Sequence, residues 1–251
     1  MKEYRFGNYS VEYHESIDST NTYAKERARN GAPNGSVIIA SHQSAGRGRM
    51  GRSFFSPESS GIYMSVLFRN VNELKSSPGR ITSFAAVCVC DAINDVFGID
   101  AQIKWVNDVM INEKKVCGIL TESSFDASSA SLEYVVVGIG INVERTVFPA
   151  ELSDIACSIK DYSSKNADKS ELAAEILQRL APLLNGAIPN DAMERYRALS
   201  CLLGKEIFTL GEGSIKGKAI TVNDEGALIV ETEGGETVSI SAGEVSVRAI
   251  K

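Results

Sequence analysis

A chain of 251 residues that is 43% hydrophobic, with one Trp and eight Tyr, is long enough to bury a full core in one or two domains. Its formal charge of −6 disfavours wholesale binding of polyanions, so any basic cluster is a local exception. The five cysteines at 88, 90, 117, 157 and 201 are odd in number, lack CxxC spacing and lie in largely apolar segments, which predicts reduced, buried thiols in a cytoplasmic protein. The start opens no apolar signal region, and no run approaches the roughly 20 apolar residues needed to span a bilayer.

Ser19-Thr20-Asn21-Thr22 sets capping side chains before the helix formers Tyr23 to Arg29, and Asn30-Gly31 supplies a stop, so a first helix is expected from Thr20 onward. Ser36 to Ser41 and Gly61 to Phe68 are β-rich runs. Ser77-Pro78 places a cap and a first-turn proline before an apolar-periodic helix, Ile81 to Phe97, stopped by Gly98. Cys88 and Cys90 fall on different faces of that helix, a poor geometry for a shared metal. Gln102 to Trp105, Val109 to Ile111 and Lys115 to Glu122 read as short strands, with Asn112-Glu113 as a hairpin turn. Leu132 to Val143 reads as a buried central strand whose glycines at 138 and 140 predict that something approaches its backbone closely. Asp168-Lys169-Ser170-Glu171 resembles a capping box before the amphipathic stretch Leu172 to Leu184, and Asp191 to Leu199 forms a further helix. After Leu203-Gly204 the pattern changes to five short strands, Glu206 to Leu210, Ser214 to Val222, Ala227 to Thr232, Thr237 to Ser241 and Glu244 to Ile250, which predicts a small β-barrel.

Between the first two expected strands lies Ser44-Ala45-Gly46-Arg47-Gly48-Arg49-Met50-Gly51-Arg52. Its glycines allow main-chain N–H groups to approach an anion, and its guanidinium groups supply planar, charge-assisted donors. Taken alone, the run reads equally as a solvated basic loop or an RNA-binding arginine-glycine segment. Ser19-Thr20-Asn21 likewise reads as plain helix capping, Lys115 as a solvated turn lysine, Asn107-Asp108 as a turn pair and Asn142 as a strand-end cap.

Taken in order, Ser19-Thr20-Asn21, Gln43, the arginine-glycine run, Lys104-Trp105-Val106-Asn107-Asp108, Lys115 to Leu120 and Gly138 to Val143 resemble the biotin-protein ligases over almost the whole chain. The resemblance implies an α/β (α+β) fold: a mixed-sheet catalytic domain at residues 1–203 and a Src-homology-3-like barrel at 204–251. It implies that Ser19, Thr20, Asn21 and Gln43 line a biotin pocket, where hydroxyl and amide groups suit the ureido ring. Gly46, Arg47, Gly48 and Arg49 are implied to order over biotin and its adenylate, and Arg52 to engage ATP phosphates. Lys115 is implied to contact the biotin carboxylate and the phosphoryl group, with Gly118 in the same motif, Asn107 near the nucleotide, and Asn142 near adenine and ribose. Phe54 can supply an apolar wall. Asp108 is expected near a metal or the incoming amine, and no residue is assigned as a metal ligand. The chain departs from the family at Val106, where proline is usual; an N–H is restored there, and the turn is expected to be held differently.

The implied reaction has two steps. The biotin carboxylate attacks the α-phosphate of ATP and expels pyrophosphate, and then an acceptor lysine, expected on the biotin carboxyl carrier domain of a carboxylase, attacks the biotinyl carbonyl and expels AMP. Two unit charges about 4 Å apart repel by about 4 kcal/mol at an effective dielectric near 20, so Lys115, Arg49, Arg52 and Mg²⁺ are the expected cations. Lys115, Arg49 and Asp108 are the expected catalytic residues, acting by positioning and charge stabilisation without a covalent nucleophile. The two histidines, at 14 and 42, form no expected triad. A lipoate-protein ligase and a non-enzymatic biotin or nucleotide sensor are the competing readings. The eighteen residues before Ser19 are too few for a helix-turn-helix module, so a ligase-only form without DNA binding is expected. No membrane association is expected, and a homodimer remains open.

Overall fold

The computed structural model describes residues 1–71, 78–125, 131–210, 214–241 and 246–249. The expected cap Ser77, and residues 244, 245 and 250 of the last expected strand, lie outside them. In chain order the elements are β1 (Lys2–Phe6), β2 (Tyr9–Ile17), α1 (Thr20–Arg29), β3 (Ser36–Gln43), β4 (Gly61–Phe68), α2 (Pro78–Phe97), β5 (Gln102–Lys104), β6 (Asp108–Ile111), β7 (Lys114–Phe125) and β8 (Leu132–Asn142). They continue with α3 (Lys169–Leu180), α4 (Ala192–Leu199), β9 (Glu206–Leu210), β10 (Lys216–Val222), β11 (Leu228–Thr232), β12 (Thr237–Ile240) and β13 (Ser246–Ala249).

Eight strands make one mixed sheet in the order β1-β2-β3-β4-β8-β7-β6-β5, with β2 and β3 parallel and joined through α1. The hairpin β1–β2 is absent from the expectations. Its outer strand is exposed from Lys2 to Arg5, and charged residues suited to an open sheet edge mask the β pattern. Elsewhere the local signals hold. Asn112 and Glu113 both adopt positive φ, 46° and 64°, as a two-residue hairpin turn requires. Helix α3 starts where Asp168 accepts the Glu171 N–H at 2.9 Å, and the amphipathic stretch beyond Leu180 tightens into a 3₁₀ turn, Ala181–Asn185.

The two faces of the sheet are filled differently. On one, α2 contacts α3 and α4 as well as β5, β6 and β7, and fully buried Phe68, Met64, Ile81, Ile93, Ile103 and Ile139 belong to a single large apolar cluster. On the other, α1 covers a smaller patch built from Ala24, Ala28, Ile38, Leu67, Tyr134 and Val136. The remainder of that second face carries the candidate site.

Strands β9 to β13 form a second, five-stranded antiparallel sheet, β12-β11-β10-β9-β13. Buried Ile207, Ala219, Val222, Leu228, Val230 and Ile240 join the main apolar cluster. The indole N–H of Trp105 donates to Gly226 O at 2.9 Å, and Arg197 donates to Val222 O and to the Asp224 carboxylate at 2.9 Å each.

Candidate functional site

The floor is set by strand register. Ser65 lies opposite Gly138, which faces Leu120; Tyr63 lies opposite Gly140, which faces Gly118. Both close approaches expected at the two β8 glycines are present. A Cβ on Gly138 would fall 1.9 Å from Asn21 Oδ1, and one on Gly140 would fall 2.6 Å from the Phe54 ring. The sheet is therefore bare backbone beneath the start of α1 and beneath the Phe54 ring.

The start of α1 is held from across the site. The Ser19 side chain makes no capping hydrogen bond; the Thr20 N–H donates instead to Gln43 Oε1 at 2.8 Å, and the Thr20 hydroxyl donates to the same oxygen at 3.1 Å. The Gln43 amide donates to Ser56 Oγ at 2.9 Å. Ser65 donates to Asn21 Oδ1 at 2.6 Å, and Asn21 Nδ2 donates to Leu120 O at 3.1 Å and Glu122 Oε2 at 3.0 Å. Each polar atom of the Asn21 side chain thus already has a protein partner. Ser19, Thr20 and Asn21 are all buried, so this row is preorganised rather than solvated.

The arginine-glycine run is a tight hairpin over the floor. Arg47 pairs with Ser53, the Gly48 N–H donates to Arg52 O at 2.7 Å, and the Phe54 N–H donates to Gly46 O at 2.9 Å. Its tip turns through Met50 and Gly51 at φ 55° and 74°. At its base a Cβ on Gly46 would sit 2.5 Å from Phe54 O, so glycine is needed for the two legs to close. The two inner arginines reach opposite ends of the floor: Arg47 lies 3.3 Å from the Glu122 carboxylate, and Arg49 donates to Asn107 Oδ1 at 3.1 Å. Burial pulls the Arg49 guanidinium pKa down, opposed by the nearby Asp108 charge, and Arg49 Nη2 is shielded from solvent without a hydrogen-bond partner. The Arg52 side chain stands exposed.

Beyond Arg49, the Lys115 ammonium lies 2.7 Å from the Asp108 carboxylate, both about one third exposed. Lys115 is fixed on both sides of its peptide: its N–H donates to Ile155 O at 2.8 Å, and its carbonyl accepts from Cys157 N–H at 2.9 Å. Its Cε and Nζ would lie 3.2 Å from a Cβ on Gly118, so this glycine gives the lysine room to lie along the floor. Asn107 donates to Ile119 O at 2.8 Å and its carbonyl accepts Ile119 N–H at 3.0 Å; Asn142 donates to Cys157 O at 3.2 Å. The Trp105–Val106 peptide is cis, and the turn is held by the Trp105 indole bond and by Tyr196, whose hydroxyl donates to Val106 O at 3.2 Å.

These contacts bring Ser19, Thr20, Asn21, Gln43, Arg47, Arg49, Asn107, Asp108, Lys115 and Gly118 together over one face of the sheet, and Asn142 ends β8 at the parity of Gly138 and Gly140. The residues missed are Glu122, Lys25, Ser56 and Ser65. Ser65 and Glu122 sit in expected strands at positions that alternate onto the α1 face, the one local signal that marks them. The histidines lie apart from this row, His42 with Ser16 and His14 with Glu12 and Tyr23. Burial lowers the His14 pKa, opposed by Glu12. No helix among the described residues is long and apolar enough to cross a membrane, and all five cysteines are unpaired.

Comparison with known proteins places this geometry. Residues 13–142 match the model of the biotin/lipoate A/B protein ligase family, and residues 202–248 that of the biotin protein ligase C-terminal domain. The bifunctional ligase/repressor BirA of Bacillus subtilis is 37% identical over 230 residues, covering 89% of this chain and 70% of its own. A biotin–[acetyl-CoA-carboxylase] ligase of Mycobacterium tuberculosis is 33% identical, covering 90% and 85%. Among solved structures, the biotin protein ligase of Aquifex aeolicus in complex with biotin and ATP superposes with a TM-score of 0.80 at 30% identity, covering 96% of this chain and 99% of that one. The chain belongs to the biotin/lipoate A/B protein ligase family, on its biotin protein ligase branch.

Proposed function

We propose that the protein activates biotin with ATP to biotinyl-5′-AMP and transfers the biotinyl group to a lysine of a carrier domain. The observation that carries the site assignment is a row of cations with spare donors. Arg49 keeps a shielded, unpartnered N–H, and Lys115 stands half-open beside it on glycine-floored backbone. Such groups offset the repulsion between a carboxylate and a triphosphate before the reacting atoms meet.

In this reading the closed end of the site, with Ser19, Thr20 and Gln43, receives the ureido ring, while Asn21 braces it through Ser65. Arg47, Gly46 and Gly48 lie over the biotin, Arg49 and Lys115 meet the carboxylate and α-phosphate, and Arg52, Asn107 and Asn142 meet the nucleotide. In the first step a carboxylate oxygen attacks the α-phosphorus, and the bond to the bridging oxygen of pyrophosphate breaks. In the second, a neutral lysine amine attacks the acyl carbon, AMP leaves, and Asp108 orients the amine or takes its proton. The mixed anhydride needs shelter from water, and the Gly46–Phe54 hairpin is the element positioned to give it.

Among the described residues no group of three His, Cys, Asp or Glu is placed to hold a metal ion. Magnesium would enter on the phosphates of the nucleotide. The five free thiols support a cytoplasmic setting, and the division near residue 203 supports a catalytic unit followed by a small barrel. A carboxylase carrier domain is the proposed acceptor. Incubation with labelled biotin, MgATP and such a domain is expected to put label on one carrier lysine; label from lipoate instead, or no pyrophosphate release, would refute the reading.

A further inference from the structure

Glu122 lies outside every motif used above, yet its one carboxylate meets Asn21, Lys25 and Arg47. Its Oε1 takes Lys25 Nζ at 2.6 Å and lies 3.3 Å from Arg47 Nη1; its Oε2 accepts from Asn21 Nδ2 at 3.0 Å. Three separate elements, α1, β7 and the arginine-glycine hairpin, therefore meet on one carboxylate. The strengths are unequal. Lys25 and Asn21 are short, well-covered partners that fix the carboxylate, whereas Arg47 is the longer contact and its side chain is 44% exposed.

Two charged side chains of the hairpin reach the floor from its inner leg, Arg49 to Asn107 and Arg47 to Glu122. The first is a charged donor on a neutral amide that substrate phosphates would contest. The second joins full opposite charges at the far end, away from the phosphates. Burial on its own would raise the Glu122 pKa, but hydrogen bonds from Lys25 and Asn21 and the charges of Lys25 and Arg47 outweigh it and hold the carboxyl below its ordinary range. It is therefore an anion at neutral pH.

We propose that Glu122 is a positioning residue for the ligase reaction: held by Lys25 and Asn21, it is the fixed half of a clasp whose moving half is Arg47, and it sets how long the hairpin stays down over the adenylate. This rests on the ligase reading for its consequence but not for its geometry. The clasp joins α1 to the hairpin directly, so the same carboxylate that braces the closed end of the pocket governs its cover.

Two measurements on the full chain separate these. The first needs no ligand: hydrogen exchange of the amides at Gly48, Arg52 and Phe54, whose hydrogen bonds close the hairpin. Glu122→Gln retains an acceptor for Asn21 Nδ2 and removes the charge, and is expected to speed exchange there about threefold to fivefold, the range for a partly exposed ion pair, while β8 amides are unchanged. Arg47→Ala is expected to do the same, and the double variant to add nothing further. Equal hairpin exchange in wild type and Glu122→Gln, or additive effects, overturns the clasp whatever the protein catalyses. Exchange that rises equally in β8 also overturns it, because that marks general loosening. The second is dissociation of preformed biotinyl-5′-AMP, expected to quicken by a similar factor in both single variants. A wild-type protein that forms no adenylate refutes the ligase reading and leaves the first measurement to decide the clasp; adenylate that dissociates equally from wild type and variants refutes the clasp alone.

Discussion

The two faces of the eight-stranded sheet are made from the same strands and do opposite things. On the face under α2, α3 and α4, alternate residues such as Met64, Val66, Phe68, Val137 and Ile139 are fully or nearly fully buried and touch apolar neighbours. One residue along, on the α1 face, stand Tyr63, Ser65, Gly118, Gly138 and Gly140, and what touches them is polar or aromatic: Asn21, Phe54, Lys115. A period of two lets a strand serve a dry core and a polar, glycine-lined floor at once. Stability and chemistry should accordingly separate by the face on which a side chain stands, and single substitutions can test the separation.

The largest effect belongs to the dry face. Phe68→Ala removes a fully buried ring and is expected to cost about 3–5 kcal/mol of stability, read as a shift in the urea midpoint at unchanged slope. Any folded fraction should still make adenylate. A variant whose stability is intact but whose activity is gone would break the comparison from that side. On the wet face the reverse is expected. Lys115→Ala removes a cation that is one third exposed, so the melting temperature should hold while pyrophosphate release falls by about 10²–10³-fold, the scale for deleting one preorganised charge donor. Unchanged release would remove Lys115 from the mechanism, whereas a large drop in melting temperature would make it structural.

Gly138→Ala tests the boundary between the faces. Its new Cβ would fall 1.9 Å from Asn21 Oδ1, so the Asn21 side chain must leave the place where it joins Ser65, Leu120 and Glu122. We expect about 1–3 kcal/mol of destabilisation, the usual cost of overpacking, together with a raised KM for biotin that a stability defect alone would not produce. Gly204→Ala, where nothing lies within 4 Å of the added Cβ, serves as the comparison: its φ of 81° disfavours alanine, so it should lose stability alone.

How much of this was legible depended on whether a signal was local. Turn and cap chemistry act within a few residues, so the Asn112-Glu113 turn, the Asp168 cap and the stop at Asn30-Gly31 all stand where the sequence puts them. The β8 glycines announced a close approach but not its partner, because Asn21 and Phe54 arrive from other parts of the chain. The same reason hides the Gln43 side chain behind the apparent Ser19 cap: a helix N–H takes whichever acceptor the tertiary fold brings, and here it comes from β3. Glu122 carries only its alternating strand position as a signal, and for a further reason. An acidic residue in a strand that ends at the surface reads as solvated, and only the assembled face shows that three donors converge on it. The motif residues themselves were grouped by resemblance, and spacing alone left each with a bland alternative.

The smallest expected effect is a pH dependence that touches the wet face and spares the dry one. With its pKa held below the ordinary 4.5 by Lys25, Asn21 and Arg47, Glu122 adds stability that is fully present above the unfolded-state value and is lost as pH falls through the lower, folded one. Protection of the Gly48, Arg52 and Phe54 amides, corrected for the intrinsic exchange rate, should therefore stay level from pH 7 to about pH 5 and decline only below the ordinary carboxylate range, by about 1 kcal/mol or less for so solvent-accessible a pair. The discriminating comparison is Glu122→Gln, in which the hairpin should already be loosened at pH 7 and lose no more on acidification. A wild-type decline that persists undiminished in that variant would assign the acid sensitivity elsewhere.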